Sequence, residues 1–119
     1  MAAEATNDKA ALAKLARIGG NAFVQRMIDS ILGHAPKMIA EARAGHAAGN
    51  LEPVERAGHS LKSSAANLGL PALRAVCIRL EQAAHDRQLE SIAGLLDELE
   101  RAFADAKACL EEARGEYPP

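Results

Sequence analysis

The chain has 119 residues, a formal net charge of -2 and 49% hydrophobic residues, with no tryptophan, one tyrosine and two phenylalanines. This length suits a single domain with one hydrophobic core, and the scarcity of aromatic residues beside many alanines favours helices over strands. Its 14 basic residues are balanced by 16 acidic ones without long runs of either sign, which argues against a nucleic-acid partner.

Cysteine usage and the apolar stretches indicate the compartment. Cys77 and Cys109 lie far from any Cys-x-x-Cys spacing. We therefore expect both cysteines to be small core residues of a protein in a reducing compartment. The first residues lack the organisation of a signal peptide, and no stretch is long and apolar enough to span a membrane. We therefore expect a cytoplasmic single domain over 1–119, with a flexible start at 1–7 and a frayed tail at 115–119.

The first two predicted helices are separated by a Gly-Gly pair at 19–20, which stops a short helix capped by Asp8. The second helix is capped by Asn21 and runs to a loop predicted over 45–50, with Pro36 expected to kink it rather than divide it. Apolar residues at intervals of three and four define the predicted core faces of these helices as Leu12, Leu15 and Ile18, then Val24, Met27, Ile28, Ile31, Ala35, Met38 and Ala42.

Three further helices follow the loop. Asn50 is the expected cap of the third, which tolerates Pro53 in its first turn and ends at Gly69 in a left-handed conformation. Pro71 opens the fourth helix, and the fifth follows Arg87. The predicted core faces of the three helices contain Leu51, Val54, Gly58, Leu61, Ala65 and Leu68; Leu73, Val76, Cys77, Leu80 and Ala84; and Ile92, Leu95, Leu96, Leu99, Phe103, Ala106 and Leu110.

The connections between these amphipathic helices are short, which favours antiparallel neighbours. The sequence therefore predicts an all-α fold, an antiparallel up-down-up-down four-helix bundle with a short extra N-terminal helix lying across one end. A bundle that covers its own apolar faces has no need of a second copy, so we expect a monomer.

His59 occupies a distinctive position on the third predicted helix. At about 100° per residue it lies roughly 130° from the centre of the core face, on the accessible side. Lys62 follows one turn later on the same side, where a cation can neutralise a charge that arrives at the imidazole. The residues expected beside them, facing a partner, are Glu55, Arg56, Ser63 and Ala66.

None of the other three histidines has both a cation at the third following position and small residues around it within an unbroken helical pattern. His34 precedes a helix-breaking Ala-Pro, His46 falls in the predicted loop, and His85 lies near the end of the fourth helix, so all three are expected on the surface. Two pairs, Glu55 with His59 and Glu81 with His85, leave a metal-binding bundle as an alternative. Their spacing of four differs from the Glu-x-x-His of di-iron bundles, so no metal site is expected.

A longer pattern surrounds His59. It reads Ala-Gly-His59-Ser-Leu-Lys62-Ser-Ser-Ala-Ala-Asn-Leu68-Gly69-Leu70, followed by Leu73 and by Cys77-Ile-Arg-Leu80-Glu81. This pattern resembles the histidine phosphotransfer (HPt) domains of multistep two-component phosphorelays. The resemblance extends more weakly over the second to fifth helices, so it covers nearly the whole chain.

The resemblance implies roles for individual residues. His59 matches the phospho-accepting histidine, and Lys62 matches the lysine that attends the phosphoryl group. Glu81 matches a position whose side chain bonds and orients the imidazole, with a solvated flank residue as the alternative. Ser63 departs from the glycine that many members have after the lysine, which bears on receiver affinity or partner choice.

The resemblance also implies the function of a carrier. A receiver domain, with Mg²⁺ held by its own acidic residues, would deliver a phosphoryl group to His59, and another receiver would take it away. The expected partners are response-regulator receivers and a hybrid sensor histidine kinase. No cofactor of its own is expected, and no autokinase activity, because nucleotide-binding motifs are lacking. A bundle that only binds partners, with His59 carrying nothing, is the alternative.

Overall fold

The computed structural model describes residues 7–119, and these fold as four α-helices and one 3₁₀ turn. The elements are α1 (Lys9–Ala47), α2 (Glu52–Leu68), α3 (Pro71–His85), α4 (Leu89–Ala113) and the 3₁₀ turn (Arg114–Glu116). Each helix packs against the next, and α4 returns to pack against α1. The fold is therefore the predicted all-α four-helix bundle with up-down-up-down connections.

The predicted short first helix is the N-terminal part of α1. Gly20 has φ 81° and ψ 178°, a non-helical conformation that separates segment 9–19 from segment 21–47. Glycine adopts this positive φ without the steric cost that a side chain would bring. The backbone stays helical at Pro36, so that residue does not divide the helix. The bend expected at Pro36 stays a prediction.

Segment 9–19 closes the end of the bundle where α2 passes to α3. The Asp8 carboxylate accepts a hydrogen bond from the Ala10 N–H at 3.1 Å, as expected of an N-cap. Leu12 is buried at 1% exposure, whereas Ile18 is 67% exposed. The prediction that Ile18 joins the core is wrong, because the segment loses its contact with the bundle as it approaches the break at Gly20.

The flexible start predicted over 1–7 lies outside the described residues, apart from Asn7. The side-chain amide of Asn7 donates to the carbonyl oxygens of Leu68 and Gly69, each at 3.4 Å. Asn7 thus contacts the end of α2 on the same side of the bundle as segment 9–19.

The loop predicted over 45–50 is shorter than expected, because α1 continues to Ala47. Gly45 is buried in the last turns of the helix, where packing outweighs the low helix propensity of glycine. The placement of His46 in a loop is therefore wrong. His46 lies in the last turn of α1, and its Nε2 is 3.1 Å from the carbonyl oxygen of Leu89.

α2 and α3 begin and end close to the predicted positions. Asn50 Oδ1 accepts the Glu52 N–H at 3.3 Å, although α2 begins one residue later than an Asn50 cap implies. Gly69 ends α2 with φ 68° and ψ 51°, the predicted left-handed conformation. Pro71 is the first residue of α3, where its missing N–H leaves no helical bond unmade.

The predicted core faces meet in one hydrophobic core, with no buried polar or charged side chain among residues 7–119. Helical periodicity missed Ile39 and Leu70, which are also buried. Cys77 is buried and Cys109 is half-buried, and both are free. Burial raises the pKa of the Cys77 thiol to about 12, so this thiol is inert at neutral pH. None of the described helices has the length and apolar content that a membrane span requires.

The C-terminal residues 115–119, predicted as a frayed tail, make contacts with α1. The Gln25 amide donates to the carbonyl oxygen of Tyr117 at 2.7 Å. Asn21, predicted as a helix cap, donates from its side-chain amide to the carbonyl oxygen of Pro118 at 2.9 Å. Carbonyl groups beyond the end of a helix need partners outside it, and the amides of α1 supply them here.

Candidate functional site

His59, Lys62 and Glu81 meet on the surface where α2 packs against α3. The first two lie one turn apart on α2, and Glu81 reaches them from α3. His59 Nδ1 is 3.0 Å from one carboxylate oxygen of Glu81, and Lys62 Nζ donates to the other oxygen at 2.7 Å. One carboxylate therefore bridges the imidazole and the ammonium group.

The exposure of these side chains increases towards the imidazole. The side chain of Glu81 is 23% exposed, that of Lys62 is 30% exposed and that of His59 is 68% exposed. His59 thus lies on the accessible side of α2, where helical projection places it. Both oxygens of Glu81 are bonded within the chain, and its role in orienting the imidazole stays a prediction.

The charge on Glu81 determines where the proton of His59 lies. The hydrogen bond from Lys62 is the main cause that holds the pKa of Glu81 below its ordinary value, with His59 adding to it and burial opposing it. An ionised carboxylate can only accept hydrogen bonds, so Nδ1 of His59 is the donor. The lone pair of a neutral imidazole is then on Nε2, which has no hydrogen-bond partner in the described part of the chain.

The residues on the C-terminal side of His59 leave an open strip along α2. Ser63 and Ala66 are exposed and small. The Ser63 hydroxyl donates to the carbonyl oxygen of His59 at 3.4 Å, a long bond to its own helix. The hydroxyl therefore turns back along α2, and the strip presents little side-chain bulk.

Charged residues border His59 on the N-terminal side. Glu55 Oε2 lies 3.6 Å from Nδ1 of His85 on α3. Arg56 forms an ion pair with Glu52 one turn earlier on α2. Both predicted partner-facing residues, Glu55 and Arg56, are thus exposed at least in part but already paired within the chain.

Ile78 is a surface residue near the site that sequence reasoning missed. It is 40% exposed and lies on α3, three residues before Glu81. Residues three apart on a helix share a face, so Ile78 adds an apolar contact beside Glu81. A detectable signal existed in the sequence, since Ile78 is a large apolar residue outside the core face that contains Cys77.

The Glu and His residues of the metal-binding alternative pair across the helices rather than around a common point. His59 pairs with Glu81, and His85 pairs with Glu55. Residues 7–119 contain no group of three or more His, Cys, Asp or Glu side chains that could hold a metal ion. The metal-binding alternative requires such a group.

Comparisons with known proteins agree with this geometry. A family model described as the Hpt domain matches residues 26–113, from α1 to the end of α4. The fold is similar to the crystal structure of histidine-containing phosphotransfer protein B (HptB) from Pseudomonas aeruginosa PAO1, with a TM-score of 0.88 and 22% sequence identity. That match covers 98% of this chain and 100% of the other. No curated protein matches the chain.

Proposed function

Because the chain belongs to the Hpt domain family, we propose that it is a phosphorelay carrier that accepts a phosphoryl group on His59 and passes it on. The donor is the phospho-aspartate of one receiver domain, and the acceptor is the aspartate of another. Hpt domains are phosphotransfer carriers rather than kinases. This chain therefore transfers the phosphoryl group and does not take it from ATP.

The contact between His59 Nδ1 and the Glu81 carboxylate at 3.0 Å is the observation that carries this proposal. It keeps the ring proton on Nδ1 and leaves the Nε2 lone pair on the exposed side of α2. A nucleophile for an external phosphoryl group needs both conditions, since the attacking atom must be unprotonated and accessible.

The transfer step is balanced by the groups at the site. Nε2 of His59 attacks the phosphorus atom of the receiver phospho-aspartate in line, and an N–P bond forms as the O–P bond breaks. The electron pair of the O–P bond returns to the aspartate as a carboxylate. The proton on Nδ1 stays on the imidazole, where Glu81 supports the positive charge that develops. The reverse reaction delivers the group to another receiver.

Lys62 supplies the counter-charge for the incoming group. Its ammonium group is half-buried beside His59 and is held in place by Glu81. A cation in this position attracts the phosphoryl oxygens, and the carrier needs no metal ion of its own for this. The Mg²⁺ of the reaction is expected on the receiver, which also supplies the in-line leaving group.

The surface around His59 suits a receiver domain. Ser63 and Ala66 allow close approach, and Ile78 offers an exposed apolar contact on α3. Glu55 and Arg56 form a charged border on the other side of the imidazole. We place the receiver over this surface, with a hybrid sensor kinase as the expected source of one receiver. The cytoplasmic location and the monomeric state stay predictions.

A phosphotransfer assay tests the proposal. Receiver domains are phosphorylated with labelled acetyl phosphate, desalted and mixed with the chain. We expect an acid-labile, base-stable label on the wild type and none on His59→Gln, because glutamine has no nucleophilic ring nitrogen. His34→Gln, an exposed histidine on α1, is the matched control and should accept the label normally. Labelled ATP alone should leave the chain unlabelled.

The outcomes separate the alternatives. A label on His59→Gln equal to that on the wild type would show that another residue is the acceptor. Receiver binding by the wild type without any label would identify a bundle that only binds partners. Label from ATP alone would show autokinase activity and contradict the carrier assignment.

A further inference from the structure

Gly58, the residue before His59, lies where the backbone of α3 closely approaches α2, next to Glu81. It is buried, and a Cβ atom built on it would lie 2.9 Å from the backbone nitrogen of Glu81. The same atom would lie 3.0 Å from the carbonyl oxygen of Cys77 and 3.1 Å from the Cα of Glu81. All three neighbours are backbone atoms, which cannot rotate away as the end of a side chain can.

We propose that Gly58 is a positioning residue for phosphotransfer, because its missing side chain sets the helix spacing at which Glu81 reaches His59. This inference rests on the proposed function and extends it to a residue that touches no reacting atom. Any side chain at position 58 would push α3 outwards at Glu81 itself, since the backbone of Glu81 is the nearest obstacle.

The two hydrogen bonds of Glu81 respond differently to such a displacement. Lys62 has a long, flexible side chain that can follow the carboxylate. The imidazole of His59 turns about only two torsions and sits next to Gly58 on α2, so it cannot follow. The Nδ1–Oε2 bond, now 3.0 Å, is therefore lost first, and with it the preference for the proton on Nδ1.

Sequence alone carries part of this inference. Gly58 falls on the predicted core face of its helix, where glycine is unfavourable for helix formation. A glycine at such a position allows close approach of another backbone. Which backbone approaches, and that Glu81 is at the point of contact, requires the structure.

The test uses Gly58→Ala with Gly94→Ala as the matched control. Gly94 is an exposed glycine inside α4, and a Cβ atom there would meet nothing within 4 Å. Both substitutions raise helix propensity equally, but only the first changes helix spacing. The first readout is the tautomer of His59 in the unphosphorylated protein, measured from imidazole nitrogen chemical shifts at about pH 8.5, where an ordinary imidazole is neutral.

We expect the wild type and Gly94→Ala to hold the proton on Nδ1. Gly58→Ala should populate both tautomers, as should Glu81→Gln through a weaker acceptor. The titration midpoint of the Glu81 carboxyl group, followed by its carbon chemical shift, should rise in Gly58→Ala and stay unchanged in Gly94→Ala. An unchanged tautomer and an unchanged Glu81 titration in folded Gly58→Ala would overturn the proposal.

The second readout is the rate of transfer from a phosphorylated receiver. Gly58→Ala should slow transfer by about tenfold, the lower end of what loss of an orienting partner costs. Added to Glu81→Gln, the same substitution should have no further effect, because the contact that it disturbs is already altered. An equal slowing in both backgrounds would show that Gly58 acts by another route and would contradict the inference.

If Gly58→Ala does not fold, Glu81→Asp provides the test of the role of Gly58. It keeps the charge and the helix spacing but shortens the side chain by one bond, about 1.5 Å. If the spacing set by Gly58 is what lets the carboxylate reach His59, this variant must lose the Nδ1 preference. A full Nδ1 preference in Glu81→Asp would refute the proposal. The tautomer measurement needs no receiver. A wild type that accepts no label would therefore contradict the proposed function without contradicting the role of Gly58.

Discussion

Two three-residue clusters of charge join helices within residues 7–119, and their compositions are opposite. On the α2–α3 face, one carboxylate, Glu81, is shared by the nitrogen groups of Lys62 and His59. On the α1–α4 face, one cation, Arg43, is shared by two carboxylates, Asp97 and Glu100, each at 2.6 Å. Both clusters bridge two helices with hydrogen bonds, and only the first contains an imidazole.

The difference shows why only one cluster suits an anionic group. The Arg43 cluster has a net charge of about -1, counting one cation against two carboxylates at neutral pH. The carboxylates hold the pKa of Arg43 above its ordinary value, which reflects a cation already fully engaged. The Lys62 cluster is neutral before the imidazole is charged, so a phosphoryl group meets no excess negative charge there.

Removing the cation from each cluster is the strongest test of this contrast. Lys62→Ala should slow transfer from a phosphorylated receiver by about tenfold. The loss stays below the roughly hundredfold typical of a donor in a water-excluded site, because Lys62 is 30% exposed and solvent screens its charge. Initial rates of labelling measure the effect.

Arg43→Ala is the matched control in the other cluster. It should leave the transfer rate unchanged and lower the free energy of unfolding by less than about 1 kcal/mol, as expected for exposed ion pairs. Lys62→Arg should restore most of the rate because it keeps the charge. The contrast between the clusters breaks down if Arg43→Ala slows transfer as much as Lys62→Ala does.

Ile78 adds a further difference between the two clusters, because it gives the α2–α3 face an apolar contact beside the charged groups. Ile78→Ser should weaken receiver binding about fivefold, corresponding to roughly 1 kcal/mol of lost apolar burial. Ile18→Ser, an exposed isoleucine on segment 9–19, should bind the receiver as the wild type does. Titration calorimetry with one cognate receiver measures both. Equal affinities of Ile78→Ser and the wild type would remove Ile78 from the docking surface.

Stability against pH is the smallest expected effect, and here the two clusters should behave alike. The pKa values of Glu81 and Glu100 are both lowered, chiefly by the hydrogen bonds from Lys62 and Arg43 respectively. A carboxylate with a lowered pKa in the folded state stabilises the fold above its ordinary pKa and loses that contribution as the pH falls through the folded value.

The difference in unfolding free energy between the wild type and Glu81→Gln should therefore shrink as the pH falls below the ordinary value of 4.5. Glu100→Gln should show the same trend. Urea denaturation at a series of pH values between about 3 and 7 measures both differences. A difference for Glu81→Gln that stays constant over this range would contradict the lowered pKa of Glu81.

The spacing of the apolar residues and the positions of glycine and proline predicted most of the fold. Gly69 and Pro71 mark the passage from α2 to α3 because each has a backbone preference that acts locally. Local preference failed at Gly45, which stays helical because of packing that the sequence does not display. It also could not indicate the contact between Gln25 and Tyr117, which lie far apart in the sequence.

The sequence indicated which residues form the candidate site but not which hydrogen bonds join them. Helical projection places His59 and Lys62 on the accessible side because both lie on one helix. The role of Glu81 depends on the register of α3 against α2, and the resemblance to HPt domains supplied that residue where periodicity could not. That one carboxylate bonds both groups is seen only in the structure.

That sharing has a consequence for the reversibility of the carrier. In the phosphorylated form that we propose, Lys62 would lie between two anions, the carboxylate of Glu81 and the phosphoryl oxygens. Each competes for the same ammonium protons, so the phosphorylated form gains less from Lys62 than it would from an unpaired lysine. A phosphoryl group that is less strongly stabilised is passed on more easily, which suits the role of a relay intermediate that we propose.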